Sequence, residues 1–319
     1  MVSRKGIFII LLLISVNVLA QDSGKKIPFS LVNNHIYIRG MLNDTLQAWV
    51  LLDCGARSMV SHEQAKKGKI KTHSYGHTDG IGNNTVPYQM ADSATFNLGS
   101  IRYTEKRVPV LSLSEVEDCG ADITVNKEGK IKFLKALRNN VQPIDAVLGD
   151  KFFQRFVVKI DYQKQILTLY EPSAFQYAGK GDKIPLQYSE NHIYALASIT
   201  GPDSIPVSGY FMVDCGSMTG LILNVPFIKQ HRLAPSAGAT EISLCGIGGS
   251  SKSMMGTLSD LRIGKRRIKK PITIFSQASG GVLTRPDIAG SIGNGILRRF
   301  RVIFDYSRKE MILELQGSG

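Results

Sequence analysis

Apolar residues along this 319-residue chain come mostly in short runs broken by Gly, Asn, Asp and Pro, which is a strand-and-turn pattern. Ile36–Ile38 and Leu46–Leu52 flank the turn-forming pair Asn43-Asp44 and predict a β-hairpin. Val157–Ile160 and Ile166–Tyr170 flank Asp161-Tyr162-Gln163-Lys164 in the same way, and Arg301–Phe304 with Met311–Leu315 repeats that hairpin. Short helices are predicted at His62–Lys67, Asp150–Phe156, Pro226–His231 and Asn294–Phe300. Within the extra stretch Glu115–Asn140, Ile131–Leu137 reads as a further helix, and Glu171–Asp182, with Pro, Ser and two Gly, reads as a linker.

The pattern occurs twice. Lys26-Ile27-Pro28 and Asn34-His35-Ile36-Tyr37 return as Lys183-Ile184-Pro185 and Asn191-His192-Ile193-Tyr194. Trp49-Val50-Leu51-Leu52-Asp53-Cys54-Gly55-Ala56 returns as Tyr210-Phe211-Met212-Val213-Asp214-Cys215-Gly216-Ser217, and Gly80-Ile81-Gly82 as Gly246-Ile247-Gly248. Val147-Leu148-Gly149, Phe156 and Asp161-Tyr162 match Ser291-Ile292-Gly293, Phe300 and Asp305-Tyr306. Four blocks in one order, spaced by 144 to 166 residues, mean two copies of one mainly β unit.

Composition agrees with a folded, turn-rich protein: 43% hydrophobic, 20% charged, 31 glycines and a mean hydropathy of −0.02. Arg4 and Lys5, the apolar run Ile7–Ala20 and the small-residue end Val18-Leu19-Ala20 predict a cleaved export signal over 1–20. That run is shorter than the roughly 20 residues of a membrane helix, and an uncleaved anchor is the alternative. The expectation is an exported chain, periplasmic or secreted, with units at 21–175 and 176–319 and no stable membrane insertion after signal removal. Without Arg4 and Lys5 the net charge of +13 falls to +11. The basic residues are scattered, and the densest group, Lys265-Arg266-Arg267 with Lys269-Lys270, reads as a solvated turn, so no nucleic-acid function is expected.

The chemistry concentrates in the repeated Asp-Cys-Gly segment. One Asp followed by Gly after an apolar strand is an ordinary turn. Two, at matched positions of a duplicated chain, place Asp53 and Asp214 face to face across a pseudo-two-fold axis. Carboxyls in contact cannot both ionise cheaply, so they share one proton. The ionised member then draws a proton from a water held between them, and the protonated member donates to the carbonyl oxygen under attack.

On these residues, with the apolar-apolar-Gly segments ending at Gly149 and Gly293 and the Asp-Tyr turns after them, nearly the whole mature chain resembles the retropepsin-like aspartyl proteases. These are relatives of retroviral proteases and pepsin. The resemblance implies an all-β, bilobal fold of two pseudo-symmetric, six-stranded-type closed barrels with short helices. It implies Asp53 and Asp214 as catalytic residues, supported by Cys54, Gly55, Ala56, Cys215, Gly216 and Ser217. It also implies glycine-tipped flaps over the substrate at Gly80, Ile81 and Gly82 and at Gly246, Ile247 and Gly248, with Tyr75 and Tyr88 near the first. The expected activity is that of a monomeric aspartic endopeptidase acting on polypeptides without cofactor or metal. The alternative is a peptide-binding protein of the same scaffold with little or no turnover, and a third reading is an enzyme that must first be reduced or processed.

The family motif has Thr or Ser where this chain has Cys54 and Cys215. A hydroxyl there hydrogen-bonds across to the opposite loop, and a thiol is a weaker donor and acceptor. The shared change implies that the two thiols face each other, which in an oxidising compartment raises the possibility of a disulfide. Cys119 and Cys245 are the other pair, and all three connectivities stay open. Ser217, where the first copy has Ala56, is expected to donate its hydroxyl to Asp214 and leave Asp53 as proton holder. Other chemistries are poorly supported. His62-Glu63 lacks the second zinc-binding His, since Lys66 stands there, and His73 and His77 have no third ligand nearby. His35 and His192 read as structural, and Asp161 and Asp305 as hairpin residues.

Overall fold

The computed structural model describes residues 24–114, 142–189, 192–201 and 203–316, and the backbone of 121–125 and 131–135. The expected export segment lies outside them. The first half carries strands β1 (Lys25–Pro28), β2 (Ser30–Val32), β3 (His35–Leu42), β4 (Leu46–Leu52), β5 (Met59–Ser61), β6 (Thr72–Thr78), β7 (Val86–Leu98) and β8 (Ile101–Leu111). These are followed by β9 (Ala121–Val125), β10 (Ile131–Lys135), β11 (Ala146–Leu148), β12 (Val157–Asp161) and β13 (Ile166–Tyr170), with helices α1 (His62–Lys67) and α2 (Asp150–Arg155). The second half has β14 (Asp182–Ser189), β15 (His192–Thr200), β16 (Pro206–Asp214), β17 (Leu221–Leu223), β18 (Thr240–Gly246) and β19 (Gly249–Thr257). It ends with β20 (Asp260–Ile263), β21 (Arg266–Lys269), β22 (Ile272–Ser276), β23 (Gly290–Gly293), β24 (Phe300–Asp305) and β25 (Glu310–Leu315), and has helices α3 (Val225–Gln230) and α4 (Asn294–Leu297).

The protein is all-β with short helices. The β3–β4 hairpin forms where turn chemistry demands it: Asn43 and Asp44 both take positive φ (49° and 64°) in the three-residue connection that leaves Leu42 opposite Leu46. Ser61 starts α1 by accepting the Gln64 N–H at 3.2 Å. One expectation fails: Ile131–Lys135 is a strand paired antiparallel with Ala121–Val125, not a helix. Its alternation of Ile, Phe and Lys fits a two-stranded ribbon as readily as one helical turn.

The two halves repeat one pairing scheme. In the first, β3, β4, β11, β5, β8 and β7 pair in that order, and β7 pairs back onto β3, closing a ring of six strands. In the second, β15, β16, β23, β17, β22 and β19 follow the same order, and β20, just after β19, pairs back onto β15. In both rings the strand that leads to the Asp runs parallel to the short apolar-Gly strand: Leu52 lies opposite Leu148, and Val213 opposite Ile292. Between the rings runs the order β1-β13-β12-β24-β25-β14, so the two Lys-Ile-Pro copies are its outer strands. At its centre β12 and β24 pair antiparallel, Lys159 opposite Ile303.

A single apolar cluster runs through both halves, including Leu52, Leu148, Phe153, Val213, Phe211 and Phe304, all fully buried. Burying each such side chain contributes about 1.5–3 kcal/mol. Phe153 of α2 packs on Phe304 and stacks on Tyr306 at centroid distances of 5.4 and 5.7 Å, which ties the first half to the second under the aspartate loops. Among the described residues no helix is long and apolar enough to cross a membrane.

Candidate active site

Asp53 directly follows the apolar end of β4, and Asp214 is the last residue of β16; both strands drive the chain into the core. There the chain turns sharply past the apolar-Gly strand beside it. Gly149 makes the crossing possible: a Cβ on it would collide with the Ala56 carbonyl and the Arg57 backbone. The Asp53 N–H donates to the Leu148 carbonyl at 2.9 Å, and the Asp150 N–H to that of Ala56 at 2.8 Å. On the other side the Asn294 N–H donates to the Ser217 carbonyl at 2.8 Å.

These loops bring the two carboxyls into hydrogen-bond contact. Each also accepts an N–H from the glycine two residues on, Gly55 to Asp53 and Gly216 to Asp214, both at 2.8 Å. Both carboxyls are pushed up by burial. Asp53 rises well above the usual carboxylate range because the Asp214 charge adds to its desolvation and because it donates its proton to Asp214. Asp214 rises too, but the bonds from Asp53, the Gly216 and Ser217 N–H groups and the nearby His192 favour its charge. The pair therefore shares one proton, and the second backbone donor on Asp214, the Ser217 N–H, favours the charge on that side. Ser217 contributes through its backbone N–H, 3.1 Å from Asp214 Oδ1; its hydroxyl is 2.8 Å from that of Thr219, which corrects the expected hydroxyl bond to Asp214.

Cys54 and Cys215 face each other as reciprocal acceptors. The Cys54 N–H donates to Cys215 Sγ at 3.2 Å and the Cys215 N–H to Cys54 Sγ at 3.1 Å, while the Cys54 thiol donates to the Val213 carbonyl at 3.3 Å. Both are fully buried free thiols, so the disulfide considered for them does not form. Each sulfur is already an acceptor for the opposite loop, and burial raises both thiols above their usual range and holds them as unreactive S–H. Cys245 is disulfide-bonded, and Cys119 lies outside the described residues.

The glycine-tipped hairpins of the two halves meet each other. The Gly82 N–H donates to the Ile247 carbonyl at 3.0 Å, and the Asn84 N–H to that of Gly248 at 3.1 Å. The Val282 N–H reaches the Gly80 carbonyl at 3.0 Å. Ile81 packs against the second half's cluster around Ile222 and Leu244, and Ile247 against the first half's cluster around Leu51 and Val147. Gly246 lies beside Ile81. Tyr75, in contrast, is 79% exposed.

Several residues beside the dyad were not singled out as site residues by the sequence. Asn294, fully buried, donates to the Cys215 carbonyl (2.6 Å) and the Asn34 carbonyl (2.7 Å) and accepts the Tyr162 hydroxyl (2.7 Å). The Tyr306 hydroxyl donates to the Cys54 carbonyl at 3.5 Å. His35, read as structural, hydrogen-bonds to the Gly216 backbone, and burial lowers its pKa to about 4, so it is neutral above that pH. All of these stand in or beside the repeated blocks, which was the available signal. Asp161 and Asp305 are hairpin residues, accepting the Lys164 and Arg308 N–H groups. Among the described residues no three His, Cys, Asp or Glu side chains cluster as metal ligands. No family model matches the chain, and no curated protein sequence matches it.

Proposed function

We propose that the protein is an aspartic endopeptidase of the retropepsin-like kind, its two lobes (21–175 and 176–319) each giving one aspartate to a single site. The reading extends to an exported monomer that cleaves polypeptides. One observation carries it: two sequence-matched, buried carboxyls, one from each half, meet in hydrogen-bond contact, each also held by the N–H of the glycine two residues on.

In the proposed reaction Asp214 accepts a proton from a water as its oxygen attacks the scissile carbonyl carbon, and Asp53 donates its proton to the carbonyl oxygen. The resulting diol collapses when Asp214 passes its proton to the amide nitrogen and a diol hydroxyl returns one to Asp53, breaking the C–N bond. Acid–base transfer of this kind contributes roughly 10²–10⁴-fold to rate. Activity falls at high pH as Asp53 loses its proton, and at low pH as Asp214 gains one. Since both pKa values are raised, the pair's contribution to stability is full below the unfolded carboxylate range. It is lost as pH rises through the folded values.

Hydrolysis of a mixed peptide library by the wild type, Asp53→Asn and Asp214→Asn tests the proposal. Cleavage by the wild type is expected, with a loss of at least about 10²-fold in either variant. Undiminished cleavage in both variants sinks the dyad. A folded wild type that binds peptides without cleaving them supports the binding protein instead.

A further inference from the structure

The residue after each crossing glycine, Asp150 and Asn294, occupies one structural position in the two halves. Each donates its backbone N–H to the carbonyl three residues past the catalytic Asp, at 2.8 Å in both cases. Each follows a short apolar strand parallel to the Asp strand. Their side chains differ. The Asn294 carboxamide is filled on both ends, holding the Cys215 and Asn34 carbonyls and accepting Tyr162.

Asp150, only 2% exposed, accepts Gln154 Nε2 (3.1 Å) and the Tyr188 hydroxyl (3.3 Å) on Oδ2. Among the described residues its buried Oδ1 has no hydrogen-bond partner. An amide or a protonated acid tolerates an idle oxygen at modest cost, whereas a carboxylate there lacks the donors that its charge requires.

We propose that Asp150 is a proton-dependent positioning residue for the Asp53 loop, the titratable counterpart of the fixed carboxamide beneath the Asp214 loop. When neutral, Asp150 keeps α2 and Tyr188 in place. The Tyr188 ring lies 6.1 Å from that of Tyr306, whose hydroxyl holds the Cys54 carbonyl. When ionised, it is a buried charge with one bare oxygen, and the packing that supports the Asp53 loop loosens.

The surroundings agree. Burial is the main influence raising the Asp150 carboxyl, and Glu105 on β8 adds to it. The Lys151 backbone N–H opposes burial more than Glu105 assists it, and the Tyr188 hydroxyl and the Lys151 ammonium, itself 3.7 Å from Glu105, also favour the charged form without offsetting burial. Tyr103 on β8, Tyr188 on β14 and Tyr306 are the hydroxyls coupled to it, and Arg155 faces Tyr103. The charges of the strands and turn packed against α2 are engaged elsewhere: Lys159 and Arg301 with Glu314, Arg301 also with Asp161, and Arg308 with Asp305.

A carboxyl raised by burial contributes stability that is complete below the unfolded carboxylate range and lost as pH rises through the folded value. Thermal unfolding of the full protein against pH, for wild type and Asp150→Asn, reads this directly. The wild type is expected to lose several degrees more than the variant between acid and alkaline pH. In peptide hydrolysis, which rests on the proposed activity, the variant's alkaline limb moves to higher pH. The reciprocal Asn294→Asp is expected to add a second alkaline loss.

Superimposable unfolding curves for wild type and Asp150→Asn overturn the proposal. So does a wild-type Asp150 carboxyl that titrates in the ordinary range by carbon-13 NMR, a measurement that stands even if the variant does not fold. If unfolding and NMR behave as expected but no peptide is cleaved, Asp150 keeps this role and the protease reading falls.

Discussion

The Asp53 and Asp214 loops share a backbone plan, each aspartate taking the N–H of the glycine two residues on and each loop crossing an apolar-Gly strand, yet their supports differ. Beneath Asp214 lie a fully bonded Asn294, a second backbone N–H from Ser217, and His35 reaching the Gly216 backbone from the other half. Beneath Asp53 lie Asp150 with a bare oxygen and a long 3.5 Å bond from Tyr306. A symmetric pair of acids has no reason to favour one proton position. The donors gathered on one side give it one, favouring charge on Asp214. Symmetry of fold brings the acids together, and asymmetry of support makes their surroundings unequal.

The strongest way to break this difference is Asn294→Ala. The substitution removes three hydrogen bonds and leaves the Cys215 carbonyl and the Tyr162 hydroxyl buried without that partner. Each such group costs about 1–3 kcal/mol, so chemical denaturation should show a loss of several kcal/mol. Asn294→Gln, which keeps the amide but lengthens the arm, is expected to lose less. Equal losses for both would mean that the amide's bonds contribute little and that volume alone matters.

Next in size is Cys54→Ala, which strips the Cys215 N–H of its acceptor. A loss of about 1–3 kcal/mol is expected from that unpaired buried donor. Cys215→Ala should cost a similar amount, because the bonds are reciprocal (3.1 and 3.2 Å), so the two loops are expected to respond alike here. Replacing both thiols by Ser restores acceptors and should leave the fold near wild-type stability. A double Ser variant as unstable as the Ala variants would show that the sulfurs act through packing rather than hydrogen bonding.

Much of this arrangement was legible in the chain. The duplication followed from matched blocks, the hairpins from Asn43-Asp44, and the facing of Cys54 and Cys215 from their shared place in the repeat. The mainly β character followed from short apolar runs broken by turn residues, and the all-β expectation from the family resemblance. What stayed hidden depended on long-range placement. Ile131–Lys135 forms a strand because a partner at Ala121–Val125 pairs with it, a fact absent from its own residues. Asn294 meets Asn34 across 260 positions, and His35 meets Gly216 only because the halves pack together. The thiols stayed unpaired for a reason that spacing does not carry, since each sulfur already serves the opposite backbone.

The finest probe of the comparison is Ser217→Ala, which makes the second loop read like the first at that position. The Ser217 hydroxyl engages Thr219, and the bond to Asp214 comes from the backbone N–H, which alanine keeps. Stability should fall by only about 0.5–1.5 kcal/mol for the lost hydroxyl bond. The acid limb of the pH–rate profile should stay where it is. Had the hydroxyl been a donor to the Asp214 carboxylate, its removal would raise that carboxyl further, and activity would begin to fall at a higher pH on acidification. An acid limb displaced upward in Ser217→Ala therefore places the hydroxyl on Asp214 in solution. An unmoved limb leaves the charge preference to the backbone N–H groups and the Asp53 proton.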